Sequence, residues 1–144
     1  MATYLLVAHR TLLDPHLLDE VRQRLARGPC VFHVVVPVHH PRDHAWSQGE
    51  VEARARERLE EGLARLRQLG ADATGEVGDV DPVTALKDAV GDRRLAGEDV
   101  DEVLFSTLPP GPSRWLGLDA LTRARRAVDI PVTHVVAGRV PVGS

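Results

Sequence analysis

Tyr4-Leu5-Leu6-Val7-Ala8, then Asp14-Pro15, then Val31-Phe32-His33-Val34-Val35-Val36: these three pieces, read in order, decide the fold. An apolar run without polar alternation suits a strand buried on both faces. Asp14 supplies a helix cap, and Pro15 suits the first helical position, where its missing N–H leaves nothing unsatisfied. Leu17, Leu18, Val21 and Leu25 follow at helical spacing, and Gly28-Pro29 stops the run. The second apolar run, closed by Pro37, is again a strand.

The same alternation continues outward. His39 to Gln48 is polar and reads as a loop. Val51, Ala55, Leu59, Leu63, Leu66 and Leu69 then trace one face of a long helix that ends at Gly70. Ala71 to Val77 is a weaker third strand. Asp81-Pro82 repeats the cap-and-proline start, and Val83, Leu86, Ala89 and Val90 make a short helix. Val100 to Thr107 is the fourth strand, and Pro109-Pro110-Gly111-Pro112 breaks the chain. Ser113 caps a helix running to about Val128, and Pro131 to Ala137 is the last strand. Strands alternating with helices call for an α/β domain, a doubly wound parallel sheet with helices on both faces. The expected organisation is one domain over residues 1–138, with a C-terminal tail over 139–144.

Composition narrows the function classes. The chain has 144 residues, 43% of them hydrophobic, enough for a core without disulfide or metal. Cys30 is the single cysteine, which excludes an intramolecular disulfide and a cysteine-based zinc site. Acidic residues number 21 against 18 lysines and arginines, a net charge of −3, which argues against nucleic acid or a membrane surface as partner. Aromatic residues make up only 3%, so no base-stacking platform is expected. No apolar run reaches the roughly 20 residues of a bilayer span. The opening residues lack a basic segment ahead of an apolar one, so the expected location is the cytoplasm.

In a sheet of this kind ligands sit beyond the carboxyl ends of the strands. That singles out His9-Arg10-Thr11, Pro37 to His44, Gly78-Asp79 and Ser106 to Arg114. Arg10 suits an anion, and His9 a hydrogen bond or a proton transfer. Alternatively Arg10 pairs with Asp14, and His9 merely packs. Ser106-Thr107-Leu108-Pro109-Pro110-Gly111-Pro112-Ser113-Arg114 joins a strand to a helix start, where free N–H groups favour an anion. Arg114 adds a bidentate charge, Gly111 and Ser113 helix-start hydrogen bonds, and Thr107 a polar orienting group. Each proline in that stretch lacks an N–H, which limits the cradle, and a rigid turn with Ser113 as a plain cap is the competing reading. His39, His40 and His44 invite a metal, but Pro41 intervenes and no further ligand completes a set, so no metal is expected. His33 and His134 lie inside strands and read as core or interface histidines.

Several chemistries have no foothold. Neither G-x-x-x-x-G-K-[ST] nor G-x-G-x-x-G occurs, and no G-x-S-x-G elbow offers a nucleophile. Arg54, Arg56, Arg58, Arg65 and Arg67 interleave with Glu50, Glu52, Glu57, Glu60 and Glu61 on one helix, which reads as a solvated, salt-bridged face.

Tyr4 to Ala8, Phe32-His33-Val34-Val35, Val103 to Thr107 and Ile130 to Val136 resemble the first, second, fourth and fifth strands of the universal stress proteins. The resemblance covers nearly the whole chain. It implies a five-stranded sheet of order 3-2-1-4-5, of the adenine nucleotide alpha hydrolase-like kind, and a homodimer through the last strand, Val132 to Val136. Nucleotide-binding members share glycine, two residues, glycine, nine residues, glycine, then serine or threonine after the fourth strand. Here Pro109 or Pro110 stands at the first glycine, Gly111 at the second, and Leu118-Asp119 near the end. His9 stands where an acidic nucleoside contact is usual.

Three functions compete. The first is a universal-stress-like binding or regulatory module without efficient catalysis. It holds a small anionic ligand, with ATP or AMP as the implied cofactor class, between His9, Arg10, Thr107, Gly111, Ser113 and Arg114. The second is a dimeric interaction module with an empty cleft. The third is a small enzyme using His9 as acid or base, which lacks an identifiable partner group.

Overall fold

The computed structural model describes residues 1–40, 45–108 and 114–138, the side chains of 114–118 excepted. The elements alternate throughout: β1 Ala2–Val7, α1 Pro15–Arg27, β2 Cys30–Pro37, α2 Gln48–Gln68, β3 Asp72–Gly78, α3 Pro82–Leu95, β4 Glu102–Thr107, α4 Arg114–Ala127 and β5 Val132–Val136. The strands form one parallel sheet, as the alternation predicts, in the order β3-β2-β1-β4-β5 that the family resemblance implies.

The unbroken apolar run of β1 from Tyr4 to Val7 follows from its central place. Leu5 lies beside His33 of β2 and Val103 of β4, and Leu6 beside Val34 and Leu104. Leu6, Phe32, Val34 and Leu104 enter one core layer with Leu17 and Val21 of α1 and Val51, Ala55, Leu59 and Leu66 of α2. Leu5, Val7, Val35, Val103 and Phe105 enter the other, with Leu86 and Val90 of α3 and Leu121 and Ala124 of α4. Successive side chains of one strand thus fill opposite layers, so neither face of β1 has room for a polar residue over Leu5 to Val7.

The weak look of β3 has a packing cause. A Cβ on Gly75 would lie 2.5 Å from Leu59 Cδ1 and 2.8 Å from the Val34 carbonyl oxygen. One on Gly78 would lie 2.8 Å from Ala85 Cβ. Helices press on both faces of this strand, and only glycine lets them approach.

Several boundaries differ from the sequence expectation. Asp14 and Asp81 cap α1 and α3 as expected, each ahead of a proline. α2 starts earlier than Val51, because Ser47 and Glu50 form a reciprocal capping box. α3 is longer than its apolar pattern and runs to Leu95, which is 90% exposed. β4 starts at Glu102 instead of Val100, since Asp101 turns back on β1: its N–H donates to the Thr3 carbonyl and its carboxylate accepts from the Thr3 N–H. The tail, residues 139–144, lies outside the described residues.

At the amino end of the sheet a buried charge is fully paired. Arg24 of α1 is only 4% exposed and grips both carboxylate oxygens of Glu102, at 3.0 and 2.8 Å. It also meets the Glu20 carboxylate, while the Thr133 hydroxyl donates to Glu102. Burial works against charge on Glu102, but the Arg24 and Thr133 hydrogen bonds prevail and hold its carboxyl below the usual range.

Candidate functional site

The strands end together at the carboxyl edge and leave a cavity of about 420 Å³. Its walls come from each chain segment that follows a strand of the central group: His9, Arg10 and Thr11 after β1, Pro37 to His39 after β2, and Ser106 to Leu108 at the end of β4. Val80 and Pro82, ahead of and within α3, and Ala120 of α4 complete it. No aspartate or glutamate is among these lining residues.

His9 and His39 meet here, with ring centroids 5.4 Å apart. Nδ1 of His9 is buried without a hydrogen-bond partner. Burial first, then His39, Arg58, Arg54 and Arg10, pull the pKa of His9 from 6.5 down to about 4, so the ring is neutral at neutral pH. Burial also lowers His39, helped by Arg10, Arg54 and His40. Arg10 is exposed and makes no ion pair with a described residue. Asp14, its alternative partner on sequence grounds, is occupied elsewhere: it caps α1 through the His16 N–H and accepts the Gly138 N–H at 3.1 Å.

On the β4 side the hydroxyls are already engaged. Thr11 Oγ1 and Ser106 Oγ lie 2.6 Å apart, bridging the ends of β1 and β4. Thr107 lines the cavity, and its Oγ1 is 2.6 Å from His134 Nε2 of β5. The orienting role expected of Thr107 is therefore shared with a hydrogen bond to the neighbouring strand. Burial and then Arg125 lower the pKa of His134, which leaves it a neutral partner for that hydroxyl.

Of the six expected ligand-binding residues, the structure brings His9, Arg10 and Thr107 to one cavity. Gly111 and Ser113 lie outside the described residues, as does the Arg114 side chain, although Arg114 begins α4. His44, weighed as a metal ligand, also lies outside them. His33 is buried as expected: Nδ1 is 3.0 Å from Thr74 Oγ1, and Nε2 is 3.4 Å from a Glu76 oxygen without the geometry of a hydrogen bond.

Sequence reasoning missed part of this site. Arg54 and Arg58 were grouped with a solvated helix face, yet both add positive field at His9. The guanidinium of Arg54 sits 4.6 Å from the ring centre of Trp46. A signal was present: Arg54 and Arg58 are one helical turn apart and flank the buried Ala55, next to the packed face of α2.

No protein-family model and no curated protein matches the sequence. Solved structures do. A universal stress protein family member from Burkholderia pseudomallei aligns with a TM-score of 0.62 at 18% identity, over 93% of this chain and 95% of that one. One from Arabidopsis thaliana with AMP bound gives 0.60 at 12%, over 96% and 93%. A universal stress protein in complex with cAMP gives 0.59 at 16%, over 95% and 98%. The chain has the universal stress protein fold across nearly its whole length. Among the described residues no helix is long and apolar enough to cross a membrane.

Proposed function

We propose that the chain is a universal-stress-like binding module that holds a small anionic ligand at the carboxyl edge of its sheet, without efficient catalysis. An adenine nucleotide is the leading ligand class. One observation carries this reading: a cavity of about 420 Å³ whose charged and titratable lining is His9, Arg10 and His39, with Arg10 unpaired among the described residues. The size falls within the roughly 300–1,000 Å³ of small-molecule sites. Universal stress proteins crystallised with AMP and cAMP share the fold, which supports the nucleotide class. Arg114, Ser113 and Gly111 complete the proposed site on the α4 side.

Thermal denaturation with AMP, cAMP, ATP and sulfate tests the reading. A ligand at 100 times its dissociation constant adds about 2.7 kcal/mol of stability. No shift with any of them removes it. Turnover of a bound nucleotide that disappears in His9→Ala would overturn the non-catalytic part.

The competing reading, an empty-cleft interaction module, draws on Val80 and Leu108. They are 54% and 51% exposed and form an apolar rim around the cavity. Under either reading the chain acts in the cytoplasm as a homodimer through β5, an edge strand that a partner copy would cover. Sedimentation of the chain and of Val136→Lys measures this. A monomer at all concentrations rejects the dimer.

A further inference from the structure

The cavity's cations and imidazoles lie together, at the ends of β1 and β2. His9 and His39 stand ring against ring, 5.4 Å apart, and both line the cavity beside Arg10. Arg54 is held nearby against Trp46, and Arg58 lies one turn further along α2. The segment from β4, Ser106 to Leu108, contributes no charge, and no carboxylate is among the lining residues. Among the described residues, the charged and titratable groups acting on His9 are His39, Arg58, Arg54 and Arg10; those acting on His39 are Arg10, Arg54 and His40. All are cationic or can become so. Among the described residues, a proton on His9 in the empty site would therefore sit amid like charges with no counter-ion and with Nδ1 unpartnered.

A bound dianion reverses each of these terms. It supplies the missing opposite charge, accepts hydrogen bonds from imidazolium, and neutralises the repulsion from Arg10, Arg54 and Arg58. We infer that the histidine end of the cavity is a proton-linked site for a tetrahedral dianion, a sulfate or a phosphate monoester, and that His9 takes up a proton when the anion binds. This rests on the anion-binding reading above and adds where the negative group sits and what accompanies it. No bond is made or broken: a proton passes from solvent to His9 on binding and returns on release. Affinity for a dianion then rises as pH falls, so the module reports acidity and anion concentration together.

Calorimetric titration of the full chain with sulfate is the test, because sulfate keeps its charge across the range while a phosphate monoester titrates near pH 6. Repeating it in buffers of different ionisation heat counts the protons taken up. With His9 near 4 when free and raised toward its ordinary 6.5 when bound, sulfate affinity increases by up to about tenfold between about pH 7.5 and pH 5.5. His9→Gln keeps a hydrogen-bonding side chain, and there the proton uptake falls by the His9 share and the pH profile flattens. AMP compared with adenosine distinguishes a nucleotide phosphate from a free anion as the occupant of the site. Binding of sulfate at an affinity independent of pH, with no proton taken up, overturns this inference and leaves the anion-binding module standing. No binding of either anion at any pH overturns both.

Discussion

The two ends of the sheet treat charge in opposite ways. At the amino end Arg24 is buried, and both carboxylate oxygens of Glu102 are matched to it, with Glu20 and Thr133 completing the set. At the carboxyl end Arg10 makes no ion pair with a described residue, His9 keeps a buried nitrogen unpartnered, and the described charges acting on it share one sign. A buried charge that is paired and hydrogen-bonded fixes how α1 sits on the sheet. A cluster of one sign left unpaired costs stability unless an opposite charge joins it. One sheet thus pairs its charges at one end and, among the described residues, leaves them unpaired at the other.

The largest test of the contrast is Arg24→Ala. It leaves the mostly buried Glu102 without its bidentate partner, and the expected loss is about 3–5 kcal/mol by urea denaturation. The pair Arg24→Met with Glu102→Gln removes both charges while keeping an acceptor for Thr133, and it recovers most of that loss. If the single and the double variant are equally unstable, the charge pairing is not what the amino end needs.

Acid titration of stability separates the two ends by pH. His9 has its folded pKa lowered from 6.5 to about 4, so between these values the unfolded chain binds more protons than the folded one. Stability therefore falls as pH drops through that window, by about 2 kcal/mol once solvent screening is allowed for. Glu102 is also held below its ordinary value of 4.5, so its contribution is present above that value and is lost as pH falls through the depressed one. Equilibrium unfolding followed against pH should show two descents. His9→Gln shrinks the upper, to which His39 and His134 also contribute, and Glu102→Gln weakens the lower. An upper descent unchanged in His9→Gln means that the ring is not held neutral by its surroundings.

How legible each end is in the sequence follows from what positions it. The order of elements could be read from Tyr4 to Ala8, Val31 to Val36 and the Asp-Pro caps, because burial on both faces and helix initiation are local signals. The start of α2 was open to the same reading through Ser47 and Glu50, whereas the end of α3 was not, since Arg93, Arg94 and Leu95 carry no apolar period. The site was half legible. Ligand sites lie beyond the carboxyl ends of such strands, which pointed to His9, Arg10 and Thr107. The His9–His39 contact, the Thr11–Ser106 and Thr107–His134 bonds, and the field of Arg54 and Arg58 depend on the register between strands and on where α2 crosses the edge. So does the grip of Arg24 on Glu102, 78 residues apart in sequence. No spacing rule encodes them.

Arg10→Ala gives the smallest change in stability and for that reason the sharpest comparison. Arg10 is exposed, bonds no described residue and adds only repulsion at His9, so its loss should leave unfolding within about 0.5 kcal/mol of the parent, on the stabilising side. Affinity for sulfate or AMP should nevertheless drop at least about tenfold, since a hydrogen bond to a charged group contributes about 1.5–3 kcal/mol. Arg24→Ala should behave the other way round, with stability lost and the affinity of the remaining folded molecules unchanged. The same residue type, deleted at either end of one sheet, then affects two different quantities. If Arg10→Ala costs stability and spares the ligand, the carboxyl end is built like the amino end, and the cavity is packing rather than a receptor.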